Sequence, residues 1–94
     1  MVTESDAALV VIEFYAEWCG PCTMIADDFE NLKKSYPSVY FYRIDVDSFR
    51  YREAAKEYKV TRVPTFVVLK DRKVHHTIVG ANINALKEAI DCCL

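Results

Sequence analysis

Two of the four cysteines, Cys19 and Cys22, are separated only by Gly20 and Pro21. They follow an apolar β-type run and precede a helical pattern. A cysteine at the N-terminal end of a helix faces backbone N–H groups that lack intrahelical partners, and these favour a thiolate over a thiol. The pKa of Cys19 is therefore expected below the free-cysteine value of about 8.5. Cys22, three residues on, lies one turn away on the same side, where its sulfur can reach that of Cys19. Such a pair can reduce a disulfide: one thiolate attacks, and its neighbour resolves the mixed disulfide. The bland reading of a Cys-x-x-Cys is half a zinc site or two buried thiols. A Gly-Pro pair at a strand-to-helix junction favours redox chemistry. Zinc would need further ligands. Cys92 and Cys93 are adjacent and cannot comfortably present both sulfurs to one tetrahedral ion, and neighbouring His75 and His76 alternate across a strand. No metal is expected.

These residues need a frame. Leu9 to Tyr15 is a nearly continuous β-branched and aromatic run, the pattern of a strand buried on both faces. Pro21 suits a first helical turn. Ile25, Phe29, Leu32 and Tyr36 then recur on one helical stripe, and Pro37 stops it, predicting a helix over about 21–35. Val39 to Val46 reads as a second strand and about 50–58 as a short helix with Ala54, Ala55 and Tyr58 available to pack. Thr65 to Leu69 and Val74 to Val79 are joined so closely that they must pair antiparallel. Asn82 is an N-cap for a closing helix to about 93, with Ile83, Leu86, Ala89 and Ile90 as its apolar stripe. The order βαβαββα makes an α/β layered fold.

Ninety-four residues leave room for a single domain. The chain is 52% hydrophobic and carries six Tyr, five Phe and one Trp, enough to build a core without metal or partner. Twelve basic against fourteen acidic side chains provide no basic face for nucleic acid. No apolar run approaches the roughly 20 residues needed to cross a bilayer. The opening Met-Val-Thr-Glu-Ser-Asp lacks the basic start and apolar stretch of a secretory signal, and the end does not form a prenylation box. A cytoplasmic, reducing location is expected, where cysteines serve redox chemistry or metal more often than structural disulfides.

From about residue 7 to the end, the sequence resembles the thioredoxin family. The resemblance is carried by Val11-Ile12-Glu13-Phe14-Tyr15-Ala16-Glu17-Trp18-Cys19-Gly20-Pro21-Cys22, then Asp45-Val46-Asp47, Val63-Pro64-Thr65 and Val79-Gly80-Ala81, in the family's order. It implies a thioredoxin-like fold with a mixed sheet flanked by helices, a protein disulfide reductase with Cys19 as nucleophile and Cys22 as resolving thiol, and no cofactor beyond this redox-active pair. It implies protein disulfide substrates and a thioredoxin reductase that recharges the dithiol; neither nucleic acid nor membrane is expected as a partner. Thioredoxin is itself a well-known case of a lowered cysteine pKa, so that direction comes with the family.

From the residues alone, Pro64 at the start of a strand marks a strand end or a special peptide bond. The resemblance implies that Val63-Pro64 is cis and sits beside the cysteines, with Trp18, Gly20, Pro21, Val63 and Pro64 forming the substrate-binding rim. Trp18 is then a substrate platform, where the plainer reading is a cover over the helix end. Glu13 interrupts an apolar strand, and a carboxylate there is seldom buried without a task. It stands where the family has an Asp that relays the resolving cysteine's proton, so Glu13 joins Cys19 and Cys22 as a catalytic candidate. Burial would raise its pKa; the alternative is that it snorkels to an edge. Arg43 stands where the family often has a Lys near that carboxylate.

The departures from the family are specific. Tyr15 stands for a Trp, Asp27 for a helix-kinking Pro, Lys59 for a Gly, and Asp71-Arg72 for a Gly-containing turn. Asp27 therefore predicts a straighter helix. Residues 45–64 run about two longer than usual. Fewer residues precede Cys19 than in other family members, so a four-stranded sheet is expected, with Tyr40, Phe41 and Tyr42 on an open edge prone to pair with a second copy. Cys92 and Cys93 read as one exposed and one buried thiol, or as the source of a regulatory or intermolecular disulfide. The reading from another class is a thioredoxin-like interaction or assembly module with vestigial redox activity.

Overall fold

The computed structural model describes residues 9–94; the expectations about the first eight residues lie outside them. The β-branched run Leu9–Tyr15 is β1, and the sheet order β2-β1-β3-β4 places it centrally. It pairs parallel with β2 (Tyr40–Asp45) and antiparallel with β3 (Thr65–Lys70), which pairs antiparallel with β4 (Lys73–Val79). This is the expected four-stranded mixed sheet, and among the described residues β2 is an edge strand.

Alternation along β1 feeds two cores. Leu9 and Val11 face a layer containing Phe29, Leu32, Leu86 and Ile90, whereas Val10, Ile12 and Phe14 meet Ile44, Val67 and the half-buried Ala54, Ala55 and Tyr58. The first layer is covered by α2 (Ala26–Ser35) and α4 (Ile83–Cys93), the second by α3 (Arg52–Glu57), which an exposed 3₁₀ turn (Phe49–Tyr51) precedes. Phe29 stacks on Phe66 at 5.8 Å and meets Phe41 edge-on at 5.6 Å. Each fully buried Phe, Leu or Ile contributes about 1.5–3 kcal/mol relative to exposure, so these two layers hold the helices to the sheet. Asn82 caps α4 as expected, its side chain accepting the Ala85 N–H at 3.0 Å. The Tyr36 hydroxyl donates to Asp91, tying the end of α2 to α4.

One expectation fails. The helix over 21–35 is interrupted at Ile25 (φ −99°, ψ 4°), giving a five-residue α1 (Gly20–Met24) and a separate α2. The absence of proline at position 27 does not straighten it. Asp27 and Asp28 instead occupy the first turn of a new helix, where the exposed N–H groups favour carboxylates. The β3–β4 turn takes an unexpected route: both Asp71 (φ 55°) and Arg72 (φ 67°) are left-handed, the geometry that closes a two-residue hairpin, reached here without glycine.

Candidate active site

The parallel pairing of β1 and β2 sets their two C-terminal strand ends side by side. Tyr15 is in register with Asp45, and the Val46 N–H donates to Tyr15 O at 2.9 Å. Beyond Tyr15 the chain turns through Ala16–Trp18 into α1, with the Cys19 N–H bonded to Ala16 O at 3.1 Å. Cys19 is the N-cap of α1 and Pro21 lies in its first turn. The capping atom is sulfur: the Cys22 N–H donates to Cys19 Sγ at 3.1 Å. Because α1 spans five residues, what the helix start presents to this sulfur is a local N–H rather than a long helix dipole.

Cys19 and Cys22 form a disulfide, with their Cα atoms 5.3 Å apart. Both are buried, and with Ala16 they make a small cluster packed by Tyr15, Val46 and Val63. Val63 is thus brought against the cysteine pair, preceding Pro64 through a cis peptide bond. The Pro64 carbonyl accepts the Gly80 N–H at 2.8 Å, which ties the β4–α4 loop to the same place. An open groove lined by Ile25, Asp28, Val79, Gly80, Ala81 and Asn82 continues from it. Gly20 and Pro21 are exposed, and a Cβ built at Gly20 would meet no heavy atom within 4 Å, so the surface over Gly20, next to the buried Cys19, is open.

Trp18 is 71% exposed. Its indole N–H donates to Asp47 Oδ2, and the Asp47 N–H donates to Asp45 Oδ1 at 2.9 Å. Asp47 was not singled out from sequence as the partner of Trp18. The signal was available: with β1 and β2 parallel, the residues just past Asp45 must lie beside those just past Tyr15.

Glu13 does not snorkel. It is 1% exposed, shares with Val11 the face of β1 that looks toward α2, and lies in register with Arg43. Arg43 Nε donates to Glu13 Oε1 at 3.0 Å, and the guanidinium lies 3.9 Å from the centre of the Tyr15 ring. Glu13 Oε2 is buried without a partner among the described residues. Burial pushes the Glu13 carboxyl above its usual range, and the facing Arg43 charge only partly offsets this. Of the remaining sulfurs, Cys92 is exposed and Cys93 buried. Among the described residues no three His, Cys, Asp or Glu side chains gather into a group that could hold a metal ion.

The Thioredoxin family model matches residues 1–92. The chain belongs to the thioredoxin family. Thioredoxin-1 of Saccharomyces cerevisiae is 44% identical over 82 residues, covering 87% of this chain and 78% of the yeast protein. Thioredoxin 1 of Plasmodium falciparum is 40% identical over 87 residues, 93% of this chain and 82% of that protein. The crystal structure of Fasciola hepatica thioredoxin superposes with a TM-score of 0.88 at 44% identity, covering 94% of this chain and 83% of that one. A structure concerning the thiol resolving mechanism of a yeast mitochondrial 1-Cys peroxiredoxin via the glutathione and thioredoxin systems aligns at TM-score 0.85 and 42% identity, covering 90% and 78%. Thioredoxins are thiol–disulfide oxidoreductases, and this chain is an enzyme of that type with the thioredoxin fold.

Proposed function

We propose that the protein reduces disulfides in other proteins through the Cys19–Cys22 dithiol. The observation that carries this is the N–H of Cys22 directed at Cys19 Sγ, at a helix start open to solvent over Gly20. In the reduced protein that N–H stabilises a Cys19 thiolate. The thiolate attacks one sulfur of a substrate disulfide; the other substrate sulfur leaves as a thiolate and takes a proton. Cys22, once deprotonated, attacks Cys19 Sγ in the mixed disulfide and expels the second substrate sulfur. The substrate gains two electrons and two protons, and the chain ends as the Cys19–Cys22 disulfide.

Glu13 is the proposed acceptor of the Cys22 proton. Its raised pKa brings the carboxylate closer to the thiol's in proton affinity, which suits a base working near neutral pH. Trp18, Gly20, Pro21, Val63 and Pro64 form the proposed binding rim, with an extended substrate segment lying beside Val63 and along the groove by Gly80. A relative's link to a peroxiredoxin supports protein substrates. Recharging by a thioredoxin reductase, a cytoplasmic location that keeps the dithiol reduced, and self-association through the β2 edge or Cys92 belong to the same proposal.

Insulin reduction driven by dithiothreitol tests it. Wild-type protein is expected to accelerate precipitation of the insulin B chain and Cys19→Ser to abolish the acceleration. Equal rates for wild type and variant would favour an interaction module whose cysteines are vestigial.

A further inference from the structure

Basic residues are unevenly placed in this chain. Residues 48–62 hold five basic side chains (Arg50, Arg52, Lys56, Lys59 and Arg62) against two acidic ones, whereas the rest of the chain holds seven against twelve. This basic stretch starts directly after Asp47, the residue that holds Trp18 beside Cys19. Ser48 is pinned there by its N–H bond to Asp45 O at 3.0 Å, and Tyr51 by one to Ser48 O at 3.0 Å, so the 3₁₀ turn is fixed to the end of β2.

The turn presents aromatic rings and guanidinium groups together. Phe49 is 85% exposed and Tyr51 lies at the surface as well. The Arg52 guanidinium lies 5.7 Å from the centre of the Phe49 ring and that of Arg50 5.8 Å from Tyr51, both within cation–π range. Neither arginine forms an ion pair among the described residues. The adjacent Glu53 faces Lys56 at 3.7 Å, and the Asp47 carboxylate accepts the indole N–H. Exposed aromatics beside arginines have the composition of a protein-binding surface, and a guanidinium resting on a ring keeps its N–H fork available for a carboxylate.

We propose that Phe49–Arg52 is a docking surface for an acidic segment of the substrate protein, one that flanks the disulfide to be reduced. This rests on the reductase function proposed above and names its substrate class. Asp and Glu side chains on the incoming segment pair with Arg50 and Arg52 while its apolar positions cover Phe49. The rest of the chain, with its acidic excess, repels acidic segments elsewhere and so guides them to this rim.

The test uses two synthetic peptides with the same internal disulfide, one flanked by Asp and Glu and the other by Lys, with wild-type protein and R50E/R52E. Both arginines are exposed, so the charge reversal leaves the core intact. Each rate is divided by that for hydroxyethyl disulfide, which has no charged flank. The wild type is expected to favour the acidic peptide by about fivefold to tenfold in kcat/KM at low salt and R50E/R52E to lose or reverse the preference. The preference is expected to shrink as salt rises to about 0.5 M. Equal kcat/KM for the two peptides, or a preference untouched by R50E/R52E, overturns the docking surface. Titration with a cysteine-free acidic peptide, followed by Trp18 fluorescence, separates this from the chemistry. Binding that R50E/R52E abolishes, in a protein that reduces no disulfide, keeps the docking surface and removes the reductase function; no binding removes the docking surface.

Discussion

Arg43 Nε donates to Glu13 Oε1 at 3.0 Å, while Glu13 Oε2, equally enclosed, has no partner among the described residues. One half of a buried carboxylate is satisfied and the other is held in a setting that favours a proton. Proton transfer near neutral pH suits such a group, and the arrangement makes folding stability depend on it.

In the unfolded chain Glu13 ionises near pH 4.3. In the folded chain burial raises that value. Between the two values the folded state holds a proton that the unfolded state has lost. Stability therefore falls as pH rises through this window and levels off above the folded value. Glu13→Gln carries no such charge, so it is expected to melt higher than wild type at neutral pH and to show little advantage near pH 4. Each kcal/mol gained corresponds to roughly 4–8 °C for a domain of this size. Thermal unfolding followed across that range checks it. A pH-independent difference would assign the effect to packing, and slower resolution of the mixed disulfide is expected in the same variant.

Arg43→Met keeps an unbranched apolar stem and removes the guanidinium, and with it both the donor to Glu13 and the contact with the Tyr15 ring. With both Glu13 oxygens then unpartnered, a loss of about 1–3 kcal/mol is expected at neutral pH, toward the lower end because Arg43 is half exposed. The loss should shrink at acid pH and in a Glu13→Gln background. Urea unfolding of the two single variants and the double variant measures this coupling; additive losses would show that the pair is not a unit.

Lys59 adopts φ 56° at the end of α3, a conformation that costs a side-chain-bearing residue about 1–2 kcal/mol. Lys59→Gly relieves this while freeing the unfolded chain, so a net gain of roughly 0.5–1 kcal/mol is expected. A higher urea midpoint with an unchanged slope is the outcome to look for; a lower midpoint would mean that the lysine side chain contributes more than its backbone costs.

Much of this was legible because the signals are local. The run Leu9–Tyr15, the stop at Pro37 and the Asn82 cap each depend on neighbours in sequence, and each appears where expected. The Cys-Gly-Pro-Cys segment was readable for the same reason, whereas the cis bond before Pro64 came from the family resemblance and not from its neighbours. The break at Ile25 was not: its apolar stripe continues in phase through both helices, so periodicity alone cannot reveal the interruption. The hairpin at Asp71 and Arg72 has two positive φ values without the glycine that normally announces them. The Trp18–Asp47 bond spans 29 residues and exists only because β1 and β2 run parallel.

That bond makes its own prediction. Asp47→Ala releases the indole, leaving Trp18 free to turn away from Cys19. The value of one such hydrogen bond, about 0.5–1.5 kcal/mol, corresponds to a two- to tenfold drop in kcat/KM for insulin. A shift in Trp18 fluorescence should accompany it. A normal rate with a shifted spectrum would show that the orientation of Trp18 does not matter to protein substrates.

The most direct test of the central claim is the alkylation rate of Cys19 against pH in the fully reduced protein, with the modified residue identified by peptide mapping. The rate is expected to titrate with a midpoint below the value of about 8.5 for free cysteine and to exceed that of Cys92 at neutral pH. A midpoint at or above the free-cysteine value would contradict it, because the Cys22 N–H would then give the sulfur no anionic stabilisation.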